Sequence, residues 1–437
     1  MRSLPAPRTL LLSVVTALLL SVSATEILAD NWAQWRGPTG NSICRESDVP
    51  VRWSRTENVA WRFPLPGPAG ATPAVWDDRI FLTSIDGSEL VLICVSTGGE
   101  ELWRRTIGDG NKDARGDEGN SASPSPCTDG KYVWSMMATG EIGCFDFDGN
   151  EIWKLDLQER YGKFKIQFGM TSTPILHGDN LYFQCIHGDY RGETKEAFLV
   201  ALEKRTGKEV WKQDRLSDAY GENEHSYASP VIYDDGELRL LITHGGDYVM
   251  AHDLDDGREV WRCGGLNPQD DPNKDYHKTL RFVASPTAVS GMIVVPTAKN
   301  GPVISIRPNF TGDITENKSA YHWTRARNTP DVPSPLIHDG LVYLCRENGN
   351  LICLEADTGN ELYEQRTNRV RHRASPLFAD GHVYLSGRDG KVTVVKTGRK
   401  FEIVAQNDLE ESLSASPAVS NGTLYLRTFD ALWAIRQ

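Results

Sequence analysis

The 437-residue sequence is poor in the features that announce chemistry. It has eight cysteines but no CxxC, so neither a paired zinc ligand set nor a thioredoxin-like redox motif is present. No CxxCH attaches a haem. No HExxH, no GxxxxGK[ST] loop and no GxSxG elbow appears, and no glycine-rich dinucleotide turn follows a strand and opens a helix. There is no basic run, and the formal net charge is −12, so the electrostatic footprint of a nucleic-acid binder is missing. Beyond residue 22 no stretch is long and apolar enough for a membrane helix.

The N-terminus is of a different kind. Arg2 and Arg8 precede an apolar run of 13 residues, Leu10 to Val22, and small residues lead to Ala29. Basic, apolar and small-residue regions in that order read as a secretory signal over residues 1–29, cleaved after Ala29. A secreted or periplasmic protein is expected. A secreted chain with eight cysteines invites a disulfide framework. Their positions argue for mostly free, buried thiols instead, because Cys94, Cys144 and Cys353 fall where other copies of a repeat carry Ala201 and Ala251.

What is abundant is glycine (39), tryptophan (12) and, above all, repetition. A small hydroxyl residue followed by proline recurs eight times, at Thr72, Ser125, Thr173, Ser229, Ser285, Ser334, Ser375 and Ser416, at intervals of 41 to 56 residues. Most copies continue with an Asp/Gly turn, a β-rich run such as Leu341–Leu344, a polar glycine turn and a second apolar run. Each then closes in a phrase such as Thr206-Gly207-Lys208-Glu209-Val210-Trp211. Four short strands per unit of this length describe a β-propeller blade. The expected fold is all-β: an eight-bladed propeller of four-stranded antiparallel blades over residues 58–437. The closing aromatics are Trp61, Trp103, Trp153, Trp211, Trp261, Trp323, Tyr363 and Phe401. The last blade lacks a fourth strand, and the segment from Asn58 to Phe63 is expected to supply it and close the ring, removing two exposed edges. Residues 30–57, with Trp32 and Trp35-Arg36-Gly37-Pro38, are expected to form a clasp or plug. The unit around Pro286 matches poorly, because Arg307 to Trp323 replaces the usual turn phrase.

The phrase Ala/Cys-x-Glu/Asp-x-x-Thr-Gly-x-Glu-x-Trp, joined to Ala-Ser-Pro, resembles the pyrroloquinoline-quinone (PQQ)-like propeller repeat over about residues 58–437. The resemblance implies that the aromatics dock blade against blade. It extends to quinoprotein alcohol and sugar dehydrogenases and to non-enzymatic propellers such as the outer-membrane assembly lipoprotein. The sequence departs from the dehydrogenases: it has no adjacent cysteine pair and no haem motif, and it is shorter. The expected role is therefore a non-catalytic scaffold with no cofactor and no metal, binding a protein, peptide or glycan, and monomeric because a closed ring buries its edges. One alternative is a PQQ- and calcium-dependent oxidoreductase, and a second is a propeller for outer-membrane protein assembly.

On such a ring the D-to-A and B-to-C loops share one face. The connectors at 104–122, 154–171, 212–228, 262–284 and 364–373 are long, which suggests a built-up binding surface. Residues just before each strand A, namely His225, Tyr227, Arg281, Arg371, His372 and Arg373, are expected to rim the channel. The B-to-C turns add His187, Asp189, His244, Asp247, Lys299, Arg346, Arg388 and Asp389. So many arginines and histidines in an acidic protein suggest a local cationic funnel for an anionic or carboxylate-bearing ligand. The acidic loop Gln269–Asp275 reads as solvated surface rather than a calcium site.

Overall fold

A computed structural model describes residues 1, 31–114, 119–190, 196–267 and 279–437. The expected signal segment and the acidic loop 269–275 lie outside the described residues. Eight antiparallel sheets follow one another around a ring. Blade 3 is representative. Its strands A to D are Ile175–His177, Asn180–Cys185, Phe198–Glu203 and Glu209–Asp214, paired in chain order from the channel outwards. Strand A begins just after the proline, which has no N–H to give to a ladder.

Blade 8 is made from both ends of the chain. Ala418–Ser420, Thr423–Arg427 and Ala431–Ile435 are its strands A to C, and Val59–Pro64 pairs antiparallel with the last of these as strand D. Blade 4 has a fifth strand. The atypical segment of blade 5 reaches back, and Gly312–Asp313 pairs in parallel with Glu259–Cys263. Part of blade 4's outer edge is thus covered from within the chain.

Cross-strand register explains the repeat phrase. In strand D the docking aromatic is the third residue, and it faces a small residue of strand C. The pairs include Cys94↔Trp103, Cys144↔Trp153, Ala201↔Trp211, Ala251↔Trp261 and Cys353↔Tyr363. Cysteine and alanine interchange there because the site is narrow. All eight cysteines are free and buried.

Each indole N–H then crosses to the next blade and donates to a carbonyl of its C–D connection. Examples are Trp61 to Thr97 (2.9 Å), Trp103 to Phe147 (2.9 Å) and Trp211 to Leu254 (3.0 Å). The ring lies so close to that turn that a Cβ on Gly257 would come within 2.5 Å of Trp211. Gly257 also has φ +74°, so both approach and backbone require glycine.

Phe401 departs from expectation. Blade 7's strand D is Ile403–Asp408, and the docking position opposite Val394 is Ala405. Phe401 precedes the strand and packs on Tyr363, with ring centroids 5.6 Å apart.

The segment after residue 30 crosses the face made by the A–B turns. Trp32 O accepts from Val75 N, Ala33 O from Thr128 N, and Gln34 Oε1 from Leu176 N. Further along, Asn41 bonds to Ile337 through both backbone groups, Cys44 N donates to Phe378 O, and Glu46 accepts from Asn421 N and Gly422 N. Strands A of blades on opposite sides of the ring are thereby tied together.

Candidate functional site

The channel wall is built from the eight hydroxyl–proline elements. The backbone N–H of each hydroxyl residue donates to the hydroxyl oxygen of its counterpart in the following blade. The run is Thr72 to Ser125 (2.9 Å), Ser125 to Thr173 (3.1 Å), Thr173 to Ser229 (2.9 Å), Ser229 to Ser285 (2.8 Å), Ser285 to Ser334 (3.0 Å), Ser334 to Ser375 (3.0 Å) and Ser375 to Ser416 (2.9 Å). A strand that starts with proline leaves the preceding N–H without a ladder partner, and the neighbouring hydroxyl meets that need. The belt stops at Ser416: Thr72 Oγ1 is buried and makes no hydrogen bond. The sequence carried a signal for this belt, since the residue before the proline is Ser or Thr in all eight copies.

Inside the belt lies a cavity of about 210 Å³. Trp35 lines it, with the belt hydroxyl residues Ser125 to Ser416 and Phe168, Tyr227, Arg281, Val283, Val332 and Arg373. Trp35 is held from the N-terminal segment by its neighbour. The Arg36 guanidinium lies 5.6 Å from the Trp35 ring and donates to Thr287 Oγ1 (2.7 Å), Ser42 Oγ (3.2 Å) and the carbonyls of Pro286 and Pro335. Complete burial pushes Arg36 down to about 9, and carbonyls rather than carboxylates surround it.

The mouth of the cavity pairs its charges. Arg281 Nη1 meets Glu222 at 2.9 Å, and the guanidinium sits over Phe168 (5.2 Å) and Tyr227 (5.7 Å). Arg373 Nη2 lies 3.4 Å from Glu347, which also receives Arg371 (3.8 Å) and Lys299 (3.7 Å). Asp331 lies 3.6 Å from Lys299, and burial followed by the nearby Glu347 charge raises its pKa. These groups line an outer hollow of about 430 Å³ that adjoins the cavity through Arg281 and Arg373.

The structure separates the expected rim residues into groups. Tyr227, Arg281 and Arg373 line the cavity, while Lys299 and Arg371 line the outer hollow. Arg346 lines an adjoining hollow that shares Lys299, Asp331 and Glu347 with the outer one, and pairs with Glu364 at 3.2 Å. Arg388 packs over the Phe429 ring (4.7 Å) and bonds Ser414, whose side chain reaches the cavity wall. His187, His225, His244 and His372 are buried. Burial pushes His187 down to about 4 and His244 to about 3, and lowers His225 and His372. His244 stacks on Phe282 at 4.3 Å, and His225 Nε2 lies 3.0 Å from Gly188 O. These rings are neutral at pH 7. The mouth thus sets four cations, Arg281, Lys299, Arg371 and Arg373, against three carboxylates, Glu222, Asp331 and Glu347, and the buried histidines add no charge to the expected cationic funnel. The sequence places Trp35 in the expected clasp or plug and Phe168 and Val283 in long connectors, but none of the three was expected in the site, because only the closed ring brings them to the axis. Among the described residues no three His, Cys, Asp or Glu side chains gather as a metal set, and no helix is long and apolar enough to cross a membrane.

Comparison with known proteins places this geometry. A family model described as "Outer membrane protein assembly factor BamB" matches residues 88–326 and 322–429. Among curated proteins, a 1-butanol dehydrogenase (quinone) of Thauera butanivorans is 28% identical over 137 residues, 27% of this chain and 20% of that enzyme. The chain thus spans about a fifth of the length of that relative. The crystal structure of BamB from Moraxella catarrhalis superposes with a TM-score of 0.61 at 14% identity, covering 87% of this chain and 97% of that one. The quinohemoprotein alcohol dehydrogenase of Comamonas testosteroni gives 0.62 at 12% identity, covering 93% and 80%. At such identities the superpositions speak for the fold. The family match spans most of the repeats, and the chain belongs to the PQQ-like β-propeller repeat family.

Proposed function

We propose that the protein is an extracytoplasmic, monomeric, non-catalytic propeller whose channel-mouth face holds a segment of a partner protein. One observation carries this reading. Every cation that lines the cavity and the outer hollow lies within ion-pair distance of a carboxylate, the neighbouring histidines are buried, and Asp247, whose carboxyl burial raises to about 7, lines neither space. What remains is a recess of aromatic faces, hydroxyls and paired guanidinium groups. Such a surface suits a neutral, polar-and-apolar ligand such as a peptide loop. The family model's description, an assembly factor, supports the same reading.

The curated relative favours a second reading, oxidoreduction with a bound quinone. PQQ carries three carboxylates and acts with a hard cation held by oxygen ligands. The residues at hand do not fit that demand. Arg281 and Arg373 are already committed to Glu222 and Glu347, and no acidic cluster stands ready for calcium among the described residues.

Two measurements test the proposal. A photo-crosslinking residue in place of Phe168 should trap one discrete partner in the native host, and Arg281→Ala should abolish that crosslink. Calorimetric titration with PQQ and calcium should give no heat. Stoichiometric binding with dye reduction would overturn the non-catalytic reading.

A further inference from the structure

The break in the hydroxyl belt coincides with an unmatched charge. Arg427 ends strand B of blade 8 and is 1% exposed, as is Thr72 across the seam in blade 1. Its Nη1 reaches the carbonyl of Ala71, the residue before Thr72, at 3.4 Å. Its Nε and Nη2 make no hydrogen bond, and neither does Thr72 Oγ1.

The equivalent position, two residues after the strand B aromatic, carries no charge in blades 1, 3 and 7: Ser386 in blade 7 is buried without a side-chain hydrogen bond, and the other two are bonded. Thr83 in blade 1 donates to Ala122 O (2.7 Å), and Gln184 in blade 3 donates to Ala228 O (3.0 Å) and His244 O (2.8 Å). Those side chains are neutral and satisfied. Arg427 places a full cation in the same layer. The connector it faces, Pro66-Gly67-Pro68-Ala69-Gly70-Ala71, has no side-chain acceptor. The nearby carboxylate of Glu411 is taken by Arg62 (2.9 Å), Thr428 (2.6 Å) and Trp433 (3.0 Å). Burial lowers Arg427 to about 9, which still leaves it a cation at neutral pH. A buried charge without a partner is strongly destabilising, so a counter-charge is called for.

We propose that a small monovalent anion of chloride size binds at the seam of blades 8 and 1, accepting from Arg427 and from the Thr72 hydroxyl. It stands where the eighth link of the belt would be. Gly70 and Ser416 flank the seam and line the channel cavity, which gives the ion its way in.

Thermal unfolding of the whole chain in sodium chloride against sodium gluconate at equal ionic strength tests this, because gluconate is too large for the seam. Tm should rise with chloride beyond the gluconate curve, with the concentration dependence of one bound ion. Arg427→Met should lose that increment, and Thr72→Val should reduce it. An equal increment in Arg427→Met, or none in the wild type, overturns the proposal. If Arg427→Met does not fold, chlorine-35 line broadening decides it on the wild type and Thr72→Val. Broadening that Thr72→Val weakens supports the site, and no protein-dependent broadening refutes it.

Discussion

Blades 3 and 4 meet differently from blades 7 and 8, and the difference follows from where the chain begins and ends in the ring. At the first joint Trp211 leaves strand D, packs beside Tyr182 with centroids 6.0 Å apart, and donates to Leu254 O in the next blade's C–D turn. Blade 8 has no such turn, because its strand C ends at Ile435 and its strand D is the distant segment Val59–Pro64. A docking indole on blade 7 would find no turn to receive it, and Ala405 stands at that position. The aromatic comes instead from the N-terminal segment. Trp53 stacks on Tyr384, the blade 7 counterpart of Tyr182, at 6.4 Å, and its backbone N–H donates to Asn407 Oδ1 (3.0 Å). The apolar demand of the joint is met from elsewhere in the chain, while the hydrogen bond is not: Trp53 Nε1 is buried without a partner. Closing a ring with a strand from the other terminus removes an edge but also a turn, and the neighbouring joint is repacked to compensate.

The largest effect should come from breaking the closing blade itself. Deleting residues 423–437 removes strands B and C of blade 8 and leaves Val59–Pro64 without its partner. No compact monomer should survive by size-exclusion chromatography and far-UV circular dichroism, and a compact monomer would show that the ring closes without them. Next come the two indoles. Trp211→Ala and Trp53→Ala each empty a buried aromatic site and should cost about 3–5 kcal/mol in chemical denaturation. The phenylalanine variants separate the joints more finely. Trp211→Phe loses a hydrogen bond and leaves Leu254 O unsatisfied, so it should cost about 1–3 kcal/mol. Trp53→Phe removes a buried donor that has no partner, so it should be closer to neutral by about 1 kcal/mol or more. Equal losses would show that the two joints are not built on the distinction drawn between them.

Much of this was legible in the sequence, because the repeat states it eight times. The docking tryptophans, the interchange of Cys94, Cys144 and Cys353 with alanine, and strand A beginning at the proline all follow from a pattern that averages out local ambiguity. The irregular parts were not legible. Phe401 was counted among the closing aromatics because an aromatic was expected there, whereas the register puts Ala405 in the place, and Trp53 stacks on Tyr384 two strands away. Arg307 to Trp323 reads as a failed turn phrase, but part of it forms a fifth strand on blade 4. The candidate site suffered most. Arginines near the mouth are visible in sequence, yet their carboxylate partners Glu222 and Glu347 lie on other loops, and only the fold brings them within reach. Histidine charge was misjudged for the same reason, since burial is a property of the closed ring.

The two kinds of seam should also answer acid differently. In the regular part of the ring His244 is fully buried and stacked on Phe282. Desolvation, helped by the Arg215 charge, pushes it down to about 3 from its ordinary 6.5. Between those values the unfolded chain binds a proton that the folded chain refuses. Stability is therefore fully present above pH 6.5 and is lost as pH falls towards 3, by at most about 1.4 kcal/mol per unit. At the closing seam burial pushes Glu411 up, but the hydrogen bonds from Thr428, Trp433 and Arg62 outweigh it and hold the carboxyl below its ordinary 4.5. Its contribution is present above 4.5 and is lost only as pH falls further. Mild acid should therefore weigh on the regular seams before it reaches the closing one. His244→Phe keeps the stack and removes the titration, so its Tm should fall less than that of the wild type from pH 6.5 to about 4.5. Arg62→Met loosens Glu411, so its excess loss of stability over wild type should be seen at neutral pH and shrink below pH 4.5. If His244→Phe keeps the wild-type slope, His244 is not the group that makes the regular seams sensitive to acid.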